Sequence, residues 1–152
     1  MTYFGTKEIL KNHKSAFFCS RKCPAEIILK SFDWAIEQRE KGNCVIIGAH
    51  SPIEKDVFHF LMKGRQPIIL VLGRSIPIKL DPKILKAIEE HRLLIVSFTD
   101  KSSKRISKDF AEKRNRFIMD FSDEIVVGYA NPGGLIEKSL EEFTKIKPVK
   151  FL

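Results

Sequence analysis

A chain of 152 residues, 43% of them hydrophobic and 30% charged, can bury a core of its own, which excludes the disordered and collagen-like classes. Lys and Arg outnumber Asp and Glu by 27 to 19, a net charge of +8, and such a surface attracts phosphates in nucleic acid or nucleotides or an anionic membrane surface, or serves solubility alone. No apolar run approaches the roughly 18 residues of a membrane span, and Met1 to Lys14 lacks a secretory apolar stretch, so residues 1–152 read as one cytoplasmic domain.

The chain then alternates between two patterns. Ser15 to Cys19 (S-A-F-F-C) is a near-continuous apolar run, as in a strand buried on both faces. Pro24 to Lys41 follows with Ile27, Ile28, Phe32, Ala35 and Ile36 on one helical face, and Gly42 stops it. Cys44 to Gly48 (C-V-I-I-G) is the second strand, after which Ser51-Pro52 supplies an N-cap and a first-turn proline for a helix to about Lys63. Ile68 to Leu72 forms the third strand, and Asp81-Pro82 opens a helix ending near His91. Leu93 to Phe98, a helix over Ser107 to Phe121, Ile125 to Tyr129 and a helix over Gly133 to Lys145 complete the order. This alternation predicts a Rossmann-like α/β fold: a doubly wound, mostly parallel sheet with right-handed crossovers and helices on both faces. The three cysteines, Cys19, Cys23 and Cys44, read as reduced thiols, and Cys19-x3-Cys23 lacks the second pair of a zinc site, so no metal is expected.

Sheets of this kind bind ligands beyond the carboxyl ends of their strands, where helix N-termini present N–H groups. Five segments fall there: Ser20-Arg21-Lys22, Gly48-Ala49-His50-Ser51, Gly73-Arg74-Ser75, Thr99-Asp100-Lys101 and Ala130-Asn131-Pro132-Gly133-Gly134. No G-x-G-x-x-G fingerprint or Walker A sequence occurs, so no dinucleotide cofactor and no P-loop hydrolysis are expected. Ser20 and Arg21 can hold one phosphate, although a solvated loop uses the same residues. Gly48 and Ala49 let a ligand approach the backbone. His50 has the chemistry of an acid or base but no identifiable partner, and it reads as a polar contact.

The most basic stretch runs from Lys101 to Arg116. On a helix, Arg105, Lys108 and Glu112 share one face, while Lys113 and Arg116 share another with Asp109. Arg114-Asn115-Arg116 directly precedes the core-like Phe117, Ile118 and Met119, so its guanidinium forks can be held rigidly enough to grip phosphate, although a solvated helix face with ion pairs uses the same residues. The glycines of Asn131-Pro132-Gly133-Gly134 permit positive φ and expose N–H groups, in a phosphate cradle or a tight structural turn. Among 12 phenylalanines, Phe17, Phe18, Phe32, Phe98 and Phe117 read as core, which leaves Tyr3, Phe4 and Tyr129 as stacking platforms for bases.

Together, Tyr3-Phe4-Gly5 with Ile9-Leu10, the Cys19-Ser20-Arg21 turn, Val45-Ile46-Ile47-Gly48-Ala49, Val71-Leu72-Gly73, Arg114-Asn115-Arg116-Phe117-Ile118 and Ile125-Val126-Val127 resemble the Rossmann-like core of the DNA-processing protein A (DprA/Smf) family. That family lies within the wider lysine-decarboxylase-like group of nucleotide-binding folds. The resemblance implies a single-stranded-DNA-binding, non-enzymatic domain in DNA recombination. By it, Ser20 and Arg21 match the family's Gly-Ser-Arg turn with Cys19 in place of glycine. Gly48 and Ala49 match its Ser-Gly-x-Ala loop, Glu54 or Asp56 its acid, and Arg114, Asn115 and Arg116 its Arg-Asn-Arg element.

Pro132-Gly133-Gly134 is similar to the Pro-Gly-Gly-x-Gly-Thr-x-x-Glu motif of the Lonely Guy phosphoribohydrolases, and Arg116 with Met119 to that family's second motif. Ile136 and Glu137, however, stand where Gly and Thr belong, and Leu140 takes the glutamate position. The expectation is a DNA-binding module without catalytic residues, able to form a homo-oligomer. Its basic rim comprises Ser20, Arg21, Gly48, Ala49, Ser51, Arg74, Arg114, Asn115, Arg116, Asn131, Gly133 and Gly134. One alternative is a sensor of a free nucleotide held between Ser20-Arg21 and Gly133-Gly134. The other is a nucleoside monophosphate phosphoribohydrolase with Glu137 or Glu141 as its acid.

Overall fold

The computed structural model describes residues 1–98 and 108–152. Its five central strands are the five apolar runs: β2 (Lys14–Phe18), β3 (Cys44–Ile47), β4 (Ile68–Leu72), β5 (Leu93–Ser97) and β6 (Glu124–Val127). Two edge strands complete the sheet, β1 (Thr2–Gly5) and β7 (Val149–Phe151), in the order β1-β5-β4-β3-β2-β6-β7. β1 pairs antiparallel to β5, and every other pairing is parallel.

Alternation along the strands sorts the core into two layers. Ala16, Ile46, Ile69 and Leu94, which register with one another across the sheet, pack with Ile118 and Met119 of α4 (Lys108–Phe121) and Leu140 of α5 (Leu135–Leu140). Phe17, Val45, Ile47 and Ile95 pack on the other side with Trp34 of α1 (Ala25–Lys41) and with Val57 and Leu61 of α2 (Pro52–Met62). Ala87 of α3 (Pro82–Glu89) joins that second layer. The sheet is therefore doubly wound, with helices on both faces, as the alternating pattern predicts.

Local chemistry sets the element ends. Gly42 closes α1 at φ 74°, its N–H donating to the carbonyls of Gln38 and Arg39. Ser51 and Glu54 form a reciprocal capping box on α2, with Pro52 in the first turn. Asp81 caps α3 by accepting from the Lys83 N–H. The last helix is shorter than its expected span of Gly133 to Lys145. After Leu140 the chain continues in turns closed by Thr144 N–H to Leu140 O and Lys147 N–H to Phe143 O, which carry Phe143 into the core beside Leu140.

All three cysteines are free. Burial pushes the Cys19 thiol well above its ordinary range and that of Cys44 up to about 12. Among the described residues, no helix is long and apolar enough to cross a membrane.

Candidate functional site

β2 lies between β3 and β6. The chain leaves β2 through α1 on one face and leaves β6 through α5 on the other, so the connections beyond their carboxyl ends part around a crevice. A hollow of about 210 Å³ occupies that crevice. Ser20 and Arg21 line it from the end of β2, His50, Ser51 and Glu54 from the β3–α2 turn, Arg114 and Asn115 from α4, and Asn131, Gly134, Leu135 and Ile136 from the β6–α5 connection.

Glu54 forms the floor. It is buried, and its carboxylate accepts three backbone N–H groups: Cys19 at 3.0 Å on Oε2, and His50 at 2.9 Å and Ser51 at 3.3 Å on Oε1. Burial pushes its carboxyl above the ordinary range, against the pull of those N–H groups and of Arg114. Glu54 thus ties the end of β2 to the start of α2, with three backbone N–H groups on its two oxygens. Of the two acids offered by the family resemblance, Glu54 is the one withdrawn from water; Asp56 is exposed.

Arg114 is also buried, and its Nε and Nη2 donate to Asn115 Oδ1 at 3.2 and 3.0 Å. Asn115 acts as an orienter that fixes the plane of the fork. Burial lowers the Arg114 pKa and the Glu54 charge raises it, yet among the described residues no carboxylate forms an ion pair with this guanidinium. Gly48 makes the seat. A Cβ there would lie 3.0 Å from both Cδ and Nε of Arg114, so the space that the sequence reading reserves for a ligand is filled by this side chain. Ala49 follows in the left-handed region at φ 47°, a conformation that costs a non-glycine residue free energy.

Ser20 bridges the crevice. Its N–H donates to Tyr129 O at 2.7 Å, and its Oγ accepts the Asn131 N–H at 2.9 Å. Two amides expected as a cradle are engaged within their own turn: Gly133 N–H donates to Glu137 Oε1 and Gly134 N–H to Asn131 O. Gly133 uses its freedom at φ 73°, whereas Gly134 does not, at φ −82°. In the first turn of α2 the Glu54 N–H is likewise taken, by Ser51 Oγ in the capping box. The side chains that offer anion contacts in this hollow are the buried Arg114 and the exposed Arg21. His50 is held toward its neutral form by burial and by Arg114, Lys55 and Arg21.

The structure brings Ser20, Arg21, Ser51, Arg114, Asn115, Asn131 and Gly134 into one hollow, with Gly48 beneath Arg114. Arg116, one residue further along α4, points elsewhere: both of its Nη atoms reach the Glu142 carboxylate at 2.8 Å. It lines a separate groove with Phe98, Phe117 and Ile146. Arg74 lies at the end of β4, where its carbonyl accepts the Ser97 hydroxyl at 2.6 Å, outside the hollow. Thr99, Asp100, Lys101, Lys104 and Arg105 lie outside the described residues. Of the two candidate hydrolase acids, Glu137 caps Gly133 at the surface and Glu141 is exposed, while Leu140, at the motif's glutamate position, is part of the core. None of the three lines the hollow.

Among the aromatics, Phe17, Phe18 and Phe117 are buried, while Phe32 and Phe98 reach the surface. Tyr3 and Phe4 sit on the edge strand β1, four strands away from β2.

No protein-family model matches the sequence, and no curated protein matches it. Solved structures do share its architecture. DNA processing protein A from Helicobacter pylori, studied for its single-stranded DNA binding mode, superposes with a TM-score of 0.76 at 15% identity, covering 98% of this chain and 69% of that one. DNA processing protein A from Streptococcus pneumoniae gives 0.73 at 22% identity, with 98% of this chain covering 53% of that one, about half its length. The molybdenum cofactor binding protein of Rippkaea orientalis gives 0.63 at 10% identity over 92% of this chain and 76% of that one. The chain is thus a Rossmann-like α/β protein of the architecture found in DNA processing protein A, with an arginine-floored hollow at its switch point.

Proposed function

We propose that the protein binds single-stranded DNA and seats a backbone phosphate in the switch-point hollow. The observation that carries this reading is Arg114: a guanidinium that is only 4% exposed, fixed by Asn115 and lining the hollow with Glu54 as a Coulombic neighbour but, among the described residues, no carboxylate in salt-bridge contact. A buried cation without a counter-ion in contact is costly, and a phosphate oxygen would offset that cost through charge-assisted hydrogen bonds. Arg21 at the mouth and the Ser20 hydroxyl would complete the contact.

Size separates polymer from monomer. At about 210 Å³ the hollow is smaller than the roughly 300–1,000 Å³ of typical small-molecule sites, so it admits a phosphate and leaves base and sugar outside. A strand can continue across the surface, whereas a free nucleotide would gain little enclosure. The likeness to the molybdenum cofactor binding protein supports the second reading, a small phosphate-bearing ligand held at the same residues. A place in DNA recombination, and assembly as a homo-oligomer, belong to the same proposal through the likeness to DNA processing protein A.

Fluorescence anisotropy of a labelled oligothymidylate tests this reading, run at two salt concentrations with AMP as competitor. Binding is expected to weaken steeply with salt, to resist AMP, and to fall by about tenfold or more in Arg114→Lys, which keeps the charge but loses the planar fork. Displacement by stoichiometric AMP would favour the nucleotide reading, and full affinity in both Arg114→Lys and Arg21→Ala would remove the site assignment.

A further inference from the structure

We infer that a bound single strand leaves the hollow along the outer face of α2 and is held again at a basic and aromatic contact region at the far end of that helix. The inference rests on the proposed function and adds the path of the ligand to it. α2 begins at the hollow with Ser51 and Glu54 and has 11 residues, a length of about 16 Å. Lys55, His59 and Lys63, all exposed, recur at four-residue spacing and form one line down its solvent face.

Halfway along that line the surface turns aromatic. Phe32 of α1 and Phe60 of α2, both half-buried, meet with ring centroids 5.0 Å apart. With His59 and Lys63 they line a hollow of about 330 Å³. Lys63 Nζ stands 5.5 Å from the centre of the Phe60 ring. Half-exposed rings beside a cation make a stacking platform for a base with its phosphate neutralised next to it.

Beyond the platform, α2 and α3 enclose a second hollow of about 500 Å³, lined by Lys63, Arg65, Lys83 and Lys86 against the single carboxylate Glu90. None of these four cations forms an ion pair among the described residues, and Lys83 and Lys86 stand three residues apart on α3, a like-charge spacing that costs stability. The negative end of α2, which would repel an anion here, is covered. Arg92, itself buried, donates to the carbonyls of Leu61, Met62 and Gln66. Asp56, on the rim of the aromatic hollow, is the one opposing charge along the α2 line.

Oligothymidylates of about two and about 16 nucleotides separate the two contact regions, because only the longer one spans the ~16 Å of α2. The combined variant Lys63→Ala, Lys83→Ala, Lys86→Ala changes exposed side chains only. It should lower the salt slope of the longer oligonucleotide by about 2, at ~0.7 per lost phosphate contact, and leave the shorter one unchanged. Phe60→Leu should weaken the longer one about fivefold or more, and Phe60→Tyr, which keeps the ring, should restore it. Arg114→Lys should weaken both. An unchanged slope and an indifferent Phe60→Leu, with Arg114→Lys still weakening both lengths, would overturn the path and leave the hollow standing. Failure of both lengths to bind would overturn both proposals.

Discussion

Arg114 and Glu54 are each 4% exposed, and no ion pair joins them; the arginine donates from Nε and Nη2 to Asn115, and the glutamate accepts three backbone N–H groups. Burial raises the Glu54 carboxyl above its ordinary 4.5, so the folded state holds that proton more tightly than the unfolded chain does. The contribution of Glu54 to stability is therefore fullest below about pH 4.5 and declines as pH rises through the raised value. Glu54→Gln removes this titration and turns an amide NH2 toward a backbone N–H. Urea unfolding at neutral pH should show a loss of ~1–3 kcal/mol, and the profile of stability against pH should be flatter above 4.5 than in the parent; an unaltered profile would assign the slope to another group. The sequence already names Arg114, but not which arginine of Arg114-Asn115-Arg116 turns inward. Neighbours on a helix point about 100° apart, and only the docking of α4 onto the sheet decides that Arg114 meets Gly48 while Arg116 meets Glu142. Gly48 itself was legible as a close approach; that the approaching group is Arg114 depends on a contact 66 residues away along the chain.

At the scale of elements, legibility followed burial. The five central strands carry near-continuous apolar runs because both their faces are covered, and each was placed to within one or two residues. β1 and β7 escaped the same reading because they are edge strands of four and three residues, largely exposed, with no apolar run to mark them. The expected helix over Gly133 to Lys145 fails for a physical reason at its far end. Lys147 draws its ammonium onto the carbonyls of Met119 at 2.7 Å and Ser122 at 2.6 Å, and onto that of Asp120, pinning the segment after α5 to the carboxyl end of α4. A cation there complements the helix dipole and fills acceptors that α4 leaves unpaired. Lys147→Met keeps the aliphatic stem and deletes the ammonium. Thermal and urea unfolding should register a loss of about 1.5–3 kcal/mol, and unchanged stability would show that the three carbonyls are equally well served by water.

Over the whole molecule, the positive excess includes cations placed at and along one helix of the described surface. The arginine pair at the switch point and the line of Lys55, His59 and Lys63 lie at and along α2, whose carboxyl end is covered by Arg92. Composition announced an affinity for phosphates; it could not say where, because the cations of the hollow come from β2 and α4, which are distant in sequence and adjacent only through the crossing at the switch point. Of the five loops expected on the rim, those after β2, β3 and β6 line the hollow together with α4, the one after β4 does not, and the one after β5 lies outside the described residues.

His50 reports directly on that hollow. Burial, Arg114, Lys55 and Arg21 hold its imidazole below the ordinary 6.5, and a phosphate seated among those cations would cancel much of their field. The decisive measurement is the NMR titration of the His50 ring, assigned with His50→Gln, in the free protein and with a saturating short oligothymidylate. A midpoint that starts below 6.5 and climbs on binding is the predicted result. A midpoint that stays fixed while anisotropy shows the oligonucleotide bound would place the phosphate elsewhere and contradict the account.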